Sequence, residues 1–139
     1  MPLDKVFLDA AYAIALANPA DEHHDKANTL ADRLLQERSQ IVTTRAVLVE
    51  IGNFLAKLKH RAAAVEMLNA IEHDPTIQIA PLSEELYQAA FALYQDRPDK
   101  EWGLTDCISF VLMKERNIQD AMTTDEHFEQ AGFHALLRE

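Results

Sequence analysis

Trp102-Gly-Leu-Thr-Asp-Cys-Ile-Ser-Phe-Val-Leu-Met-Lys-Glu-Arg116, continued by Asp120-Ala-Met-Thr-Thr-Asp-Glu-His-Phe128, is the stretch on which the fold turns. Leu104, Cys107, Ile108, Val111 and Leu112 recur at helical i, i+3, i+4, i+7, i+8 spacing, so the first segment predicts a helix with that face turned inward. Asp106 falls in its first turn. Ala121-Met122-Thr123 then reads as a short buried strand, and Asp125 follows where it ends. A carboxylate at a helix start and another just past a strand are brought together easily in an α/β fold.

Working outward, the same alternation extends to the amino terminus. Lys5-Val-Phe-Leu-Asp9 is an apolar run ending in an acid. Continuous apolar runs suit a central strand of a parallel sheet covered on both faces. Asp9 falls at its carboxyl end, where open α/β sheets place ligands. Capping the helix that starts at Ala10 is the plainer role for it, and about as strong taken alone. Asn18-Pro19 breaks the chain. Asp21 is placed to cap a second helix running to about Arg38, with Ala27, Leu30, Ala31, Leu34 and Leu35 inward. His23 and His24 diverge by about 100° on a helix and read as surface residues.

Gln40 to Thr43 predicts a second strand. Thr44 precedes a helix with Val47, Ile51, Phe54, Leu55 and Leu58 inside. Glu50 shares that face, where a carboxylate is costly without a partner, although a solvated place at the margin of the stripe is the ordinary outcome. A helix over Arg61 to His73, with Ala64, Val65, Leu68 and Ile71 inward, leads to a strand over Thr76 to Ala80. Ser83-Glu84-Glu85 opens a helix with a hydroxyl cap and acids at the positive end of the dipole, reaching about Tyr94. Gly132-Phe133 starts a tail that could add an edge strand. Strands alternating with helices, with no linker or repeat, predict one α/β domain over residues 1–139 with a mostly parallel sheet.

Composition narrows the function. The chain has 139 residues, 48% of them apolar, enough for a full core. One cysteine, Cys107, excludes an internal disulfide, favours a reducing cytoplasm and sits on an apolar helix face as a core residue. No apolar run is long enough to cross a bilayer. A net charge of −10 is awkward for a nucleic-acid partner, less so if several acids hold divalent cations. There is no Gly-x-Gly-x-x-Gly, no P-loop, no Gly-x-Ser-x-Gly elbow and no His-Glu-x-x-His. His127 reads as a helix-surface residue, with a smaller claim to contact substrate.

Asp9, Asp106 and Asp125 therefore stand out by position, with Glu50 facing inward beside them. Crowded carboxylates repel, and one would normally take up a proton. A hard divalent cation removes the conflict, and oxygen-only ligation suits magnesium or manganese. Such a site can activate water against a phosphodiester.

These residues resemble the PIN-domain family, and within it the VapC-like ribonuclease toxins. Phe7-Leu8-Asp9 with Ala11-Tyr12-Ala-Ile14, Thr43-Thr44 to Glu50, Leu104-Thr105-Asp106-Cys107, and Thr123-Thr124-Asp125-x-x-Phe128 resemble the family's successive motifs, in order and over nearly the whole chain. Ala10 stands where the family often has Ser or Thr, and Gly103 where it often has Ser. The resemblance implies a three-layer α/β/α fold and metal-dependent RNA cleavage. It implies Asp9, Glu50, Asp106 and Asp125 as ligands of Mg2+ or Mn2+, with Thr105 and Thr123 as supporting hydroxyls. Its members are often homodimers inhibited by a small antitoxin. Arg45, Arg97 and Lys100 are candidates for the RNA backbone. A non-catalytic module that binds RNA or protein, and a phosphotransferase with an acid nucleophile, are the rival readings; the second lacks an Asp-x-Asp pair at Asp9.

Overall fold

In the computed structural model, which describes residues 2–139, five strands form one parallel sheet in the order β3-β2-β1-β4-β5. The strands are β1 (Lys5–Leu8), β2 (Gln40–Thr44), β3 (Ile77–Ala80), β4 (Asp120–Met122) and β5 (His134–Ala135). The helices are α1 (Ala10–Ala17), α2 (His24–Gln36), α3 (Arg45–Phe54), α4 (Leu58–His73), α5 (Glu84–Asp96), α6 (Leu104–Glu115) and α7 (Glu126–Gln130). The three-layer α/β/α expectation holds, and the tail after Gly132 does add an edge strand, parallel to β4. Gly132 turns into it with φ +93°, a conformation open to glycine at no steric cost.

Successive residues of β1 point to opposite faces, and both faces are covered. Phe7 meets Phe128 of α7 at 6.4 Å between ring centroids. Phe128 in turn packs edge-on against Phe110 of α6 at 4.9 Å, and Phe110 against Trp102 at 5.0 Å. Leu8 faces the other layer, where α1, α2 and α4 line a cavity with it. The chain winds outward from β1 through β2 to β3, then returns to the far side of β1 for β4 and β5. The winding direction thus reverses between β1 and β4, and a crevice opens beyond the carboxyl ends of such a pair.

Helix starts follow local chemistry. The Thr44 hydroxyl accepts from Val47 N–H at 3.1 Å, and Ser83 does the same for Leu86. Asp21 does not cap α2. It accepts from His23 N–H at 2.8 Å in a tight turn, and the helix begins at His24. Four inward assignments are corrected. Leu35, Phe54, Leu58 and Val65 are exposed, Phe54 at 65% and Leu58 at 93%. The stripe through Val47 and Ile51 was extended past the end of α3 at Phe54. Leu58 instead opens α4, three residues earlier than the expected start at Arg61.

Candidate active site

Asp9 follows β1 and Thr123 follows β4, and the register Leu8↔Met122 sets the two side by side. The Thr123 hydroxyl donates to Asp9 Oδ2 at 2.7 Å. It also accepts from Asp125 N–H at 3.0 Å, which fixes the turn carrying Asp125 out of β4. Asp9 occupies the position before α1, yet its carboxylate does not cap that helix. The side chain has been drawn into the crevice instead.

Asp106 lies in the first turn of α6, and its Oδ2 reaches back to accept from Gly103 N–H at 3.0 Å. The same oxygen lies 3.2 Å from His127 Nδ1, which is also 3.4 Å from Asp125 Oδ1. Asp125 caps α7, accepting from His127 N–H at 2.9 Å. One hydrogen-bonded chain thus runs Asp9, Thr123, Asp125, His127, Asp106, Gly103. Asp9 and Asp106 each have a protein partner on Oδ2, and Asp125 on Oδ1. Glu50, on the inner face of α3, lies beside the Thr105 side chain, which favours its ionised form.

Asp9, Glu50, Asp106 and Asp125 line a single cavity of about 250 Å³. Asp21, Thr124, Ala10, Ala11, Ile14 and Phe54 complete its wall, and among the described residues no lysine or arginine does. Burial, with Glu50 and Asp106 nearby, pushes the Asp9 carboxyl up to about 7, against the opposing effect of the Thr123 bond. Burial first, then Asp106 and Asp125, raises Glu50. Burial and Asp125 raise Asp106, opposed by the Gly103 N–H and His127. All three are penalised when ionised, as expected of carboxylates crowded without a cation. The donors are oxygens, and this set fits a hard divalent ion. Asp106, Asp125 and His127 also bring one ligand atom each within 4.8 Å of one another.

His127 and Asp21 are the site residues that the sequence reading missed. His127 is not simply on a helix surface; it braces two acids that are nineteen residues apart in sequence. The short α7 gave its spacing from Asp125 but not its direction. Asp21 reaches the cavity from a loop, with no periodic signal to reveal it. Arg45, Arg97 and Lys100 do not line the acidic cavity. Arg45 is paired with Glu72. Arg97 pairs with Asp99 at 3.0 Å and stacks over the Trp102 ring at 5.2 Å. With Lys100 it borders a separate cavity that includes Phe91 and Tyr94. Cys107 is buried in the core, its thiol pushed up to about 11 by burial and Asp106, so it is no nucleophile.

A crossover sheet with acids gathered at its switch point defines a small set of folds, and the comparisons identify which. The family model for the PIN domain matches residues 6–134, and the chain belongs to the PIN-domain family. The 23S rRNA-specific endonuclease VapC20 of Mycobacterium tuberculosis is 28% identical over 130 residues, covering 92% of this chain and 95% of that protein. The crystal structure of that toxin, which cleaves the sarcin-ricin loop, superposes with a TM-score of 0.81 at 26% identity, over 92% of this chain and 95% of the other. VapBC2 from Rickettsia felis, bound to a promoter DNA fragment, shares the fold at a TM-score of 0.69 and 15% identity, over 94% and 96% of the two chains. FitAcB from Neisseria gonorrhoeae does so at 0.65 and 18%, over 94% and 95%. Among the described residues no helix is long and apolar enough to span a membrane.

Proposed function

We propose that this chain is a metal-dependent endoribonuclease acting as a single domain, the toxin of a cytoplasmic toxin–antitoxin pair. One observation carries the reading: Asp9, Glu50, Asp106 and Asp125, from four separate elements, line one cavity at the reversal point of the sheet. The likeness to an rRNA-cleaving relative over nearly the full length of both chains supports it. Intact acids argue against the non-catalytic module.

Asp9, Glu50, Asp106 and Asp125 would hold one or two Mg2+ or Mn2+ ions, which when bound make water nucleophilic at neutral pH and offset charge on a phosphodiester. The remaining work falls to the chain. Thr123 holds one oxygen of Asp9, and the Gly103 N–H with His127 holds one of Asp106, so the second oxygen of each is aimed by bonds to the first. Glu50, its carboxyl raised by burial and by Asp106 and Asp125, lines the same cavity and is placed either to bind metal directly or to hold a bound water. In-line attack by water leaves a 5′-phosphate and a 3′-hydroxyl. Attack by the RNA's own 2′-hydroxyl would leave a cyclic phosphate.

The natural partners are an RNA substrate, a second copy in a homodimer, and a small antitoxin. An antitoxin arginine or lysine entering the acidic cavity would pair with carboxylates and compete with metal. The test is cleavage of 23S rRNA and a panel of structured RNAs with magnesium, with manganese and with chelator, followed by end-group analysis. Cleavage only with metal, giving 5′-phosphate ends, is expected. Undiminished cutting in chelator, or a cyclic phosphate product, rejects the mechanism.

A further inference from the structure

The acidic cavity is lined by two unlike kinds of side chain. Carboxylates are one; Ala10, Ala11, Ile14 and Phe54 are the other. Phe54 is the last residue of α3, four positions beyond Glu50, so the ring lies one turn further along the same helix face. The residue is 65% exposed although it borders a cavity lined by acids. A single exposed phenylalanine is ordinary on a protein surface. One turn from a candidate metal ligand, on the rim of the same cavity, its placement has a chemical consequence.

An RNA strand entering here meets a difficulty. The protein carries a net charge of −10, and among the described residues no lysine or arginine lines the cavity, so, apart from any bound metal, counterion release by cationic side chains cannot supply affinity at this point. Aromatic stacking can, because every base has a π-face and the contact needs no positive charge. It also requires the base to be unpaired and splayed from its neighbours, which occurs in loops, bulges and ends. The other exposed aromatics, Tyr87, Phe91 and Tyr94, form a stripe along α5, and none of them lines the acidic cavity.

Resting on the ribonuclease reading above, we infer that Phe54 is a stacking platform for an unpaired base next to the scissile phosphate.

The experiment pairs a protein change with an RNA change. Binding of a labelled RNA hairpin, with intact or abasic loop nucleotides, is measured by fluorescence anisotropy on the non-cleaving Asp9→Asn chain, with and without Phe54→Ala. Cleavage kinetics are measured with Asp9 restored. Phe54→Ala should weaken binding of the intact loop about tenfold. It should cost little on the abasic loop, with the kinetic loss falling on KM rather than kcat, and Phe54→Tyr or Phe54→Trp should restore binding. Equal affinity of the Phe54→Ala and parent chains for the intact loop overturns the inference. So does an oligomer that dissociates on Phe54→Ala in sedimentation with RNA affinity per chain unchanged, which would assign the ring to a second copy. If the parent chain cuts no RNA with either metal, it is the ribonuclease reading that fails; if it cuts and Phe54→Ala keeps the parental KM, only the stacking role fails.

Discussion

Two hollows in this molecule make opposite demands on the fold. The larger, about 560 Å³, lies among α1, α2, α4, β2 and β3 and is walled mainly by side chains such as Tyr12, Leu16, Leu34, Met67 and Ile71. The smaller, about 250 Å³, holds the acids. In the first, the cost is lost packing: side chains lack neighbours on one side. In the second, the cost is electrostatic, because carboxylates are withdrawn from water and set against one another. Size is therefore a poor guide to chemistry here. The smaller hollow is where the fold has accepted strain in its ionisation states, and such strain marks sites that bind something charged.

The sharpest way to break this contrast is to remove charge from the smaller hollow. Asp9→Asn keeps the shape and the capacity to accept from Thr123 but removes one of the carboxylates proposed to bind metal. Metal-supported cleavage should fall by about a thousandfold or more, several kcal/mol of transition-state stabilisation. Single-turnover cleavage of an RNA that the parent chain cuts measures it. Activity within tenfold of the parent would mean that Asp9 is structural.

The same residue should control the pH dependence of the metal-free fold. The Asp9 carboxyl lies near 3.8 in the unfolded chain and at about 7 in the folded one. The folded state therefore binds the proton more tightly. Its contribution to stability is complete below about pH 4 and is lost as pH rises toward 7, a change of up to about 4 kcal/mol. In chelator, urea midpoints should fall over that interval, and Asp9→Asn should flatten the fall. A parent midpoint that rises from pH 5 to 7 would contradict the burial argument.

How far these residues were visible without coordinates depends on what each one needs. Asp9 and Asp125 each follow an apolar run, and a strand's carboxyl end is readable from where such a run stops. Asp106 falls in the first turn of a well-marked amphipathic helix. Glu50 was readable as facing inward but not as set beside Thr105 and Asp106, since that neighbourhood joins α3 to α6. Periodicity names a helix face but not the last residue to which it applies. That is why Phe54 and Leu58 were placed in the core, and why the ring on the rim of the cavity was unforeseen. His127 was beyond reach for a related reason: its contact with Asp106 exists only because β4 delivers α7 beside the start of α6.

His127 offers the next test, with a smaller effect. Its ring spans Asp106 and Asp125 without being needed to supply a carboxylate. Replacing it by Ala should leave all four acids in place but let two of them drift. Removing an outer partner of this kind typically costs about 10- to 100-fold in metal affinity or activity. Mn2+ binding followed by electron paramagnetic resonance reads the affinity directly, without RNA. His127→Asn, able to donate to one acid, should recover part of the loss. Parental Mn2+ affinity in His127→Ala would leave the ring without a positioning role.

The smallest effect should come from the larger hollow. Ala31 of α2 borders it and is partly buried, so a longer apolar side chain there has space to enter. Ala31→Leu should add contacts to Tyr12 and Met67 and stabilise the isolated chain by about 0.5–1 kcal/mol, in the range of cavity-filling changes. It should leave kcat and KM for RNA unchanged, because no acid lines that hollow's α1 and α2 walls. Thermal unfolding in chelator and cleavage in magnesium, run side by side, separate the two outcomes. Destabilisation by more than 1 kcal/mol would show the hollow to be packed too tightly to fill. Unchanged stability with lost cleavage would show that the two hollows are coupled through α1, which carries Tyr12 toward one and Ile14 toward the other. Hollows built on such different costs should respond independently, one to volume and the other to charge.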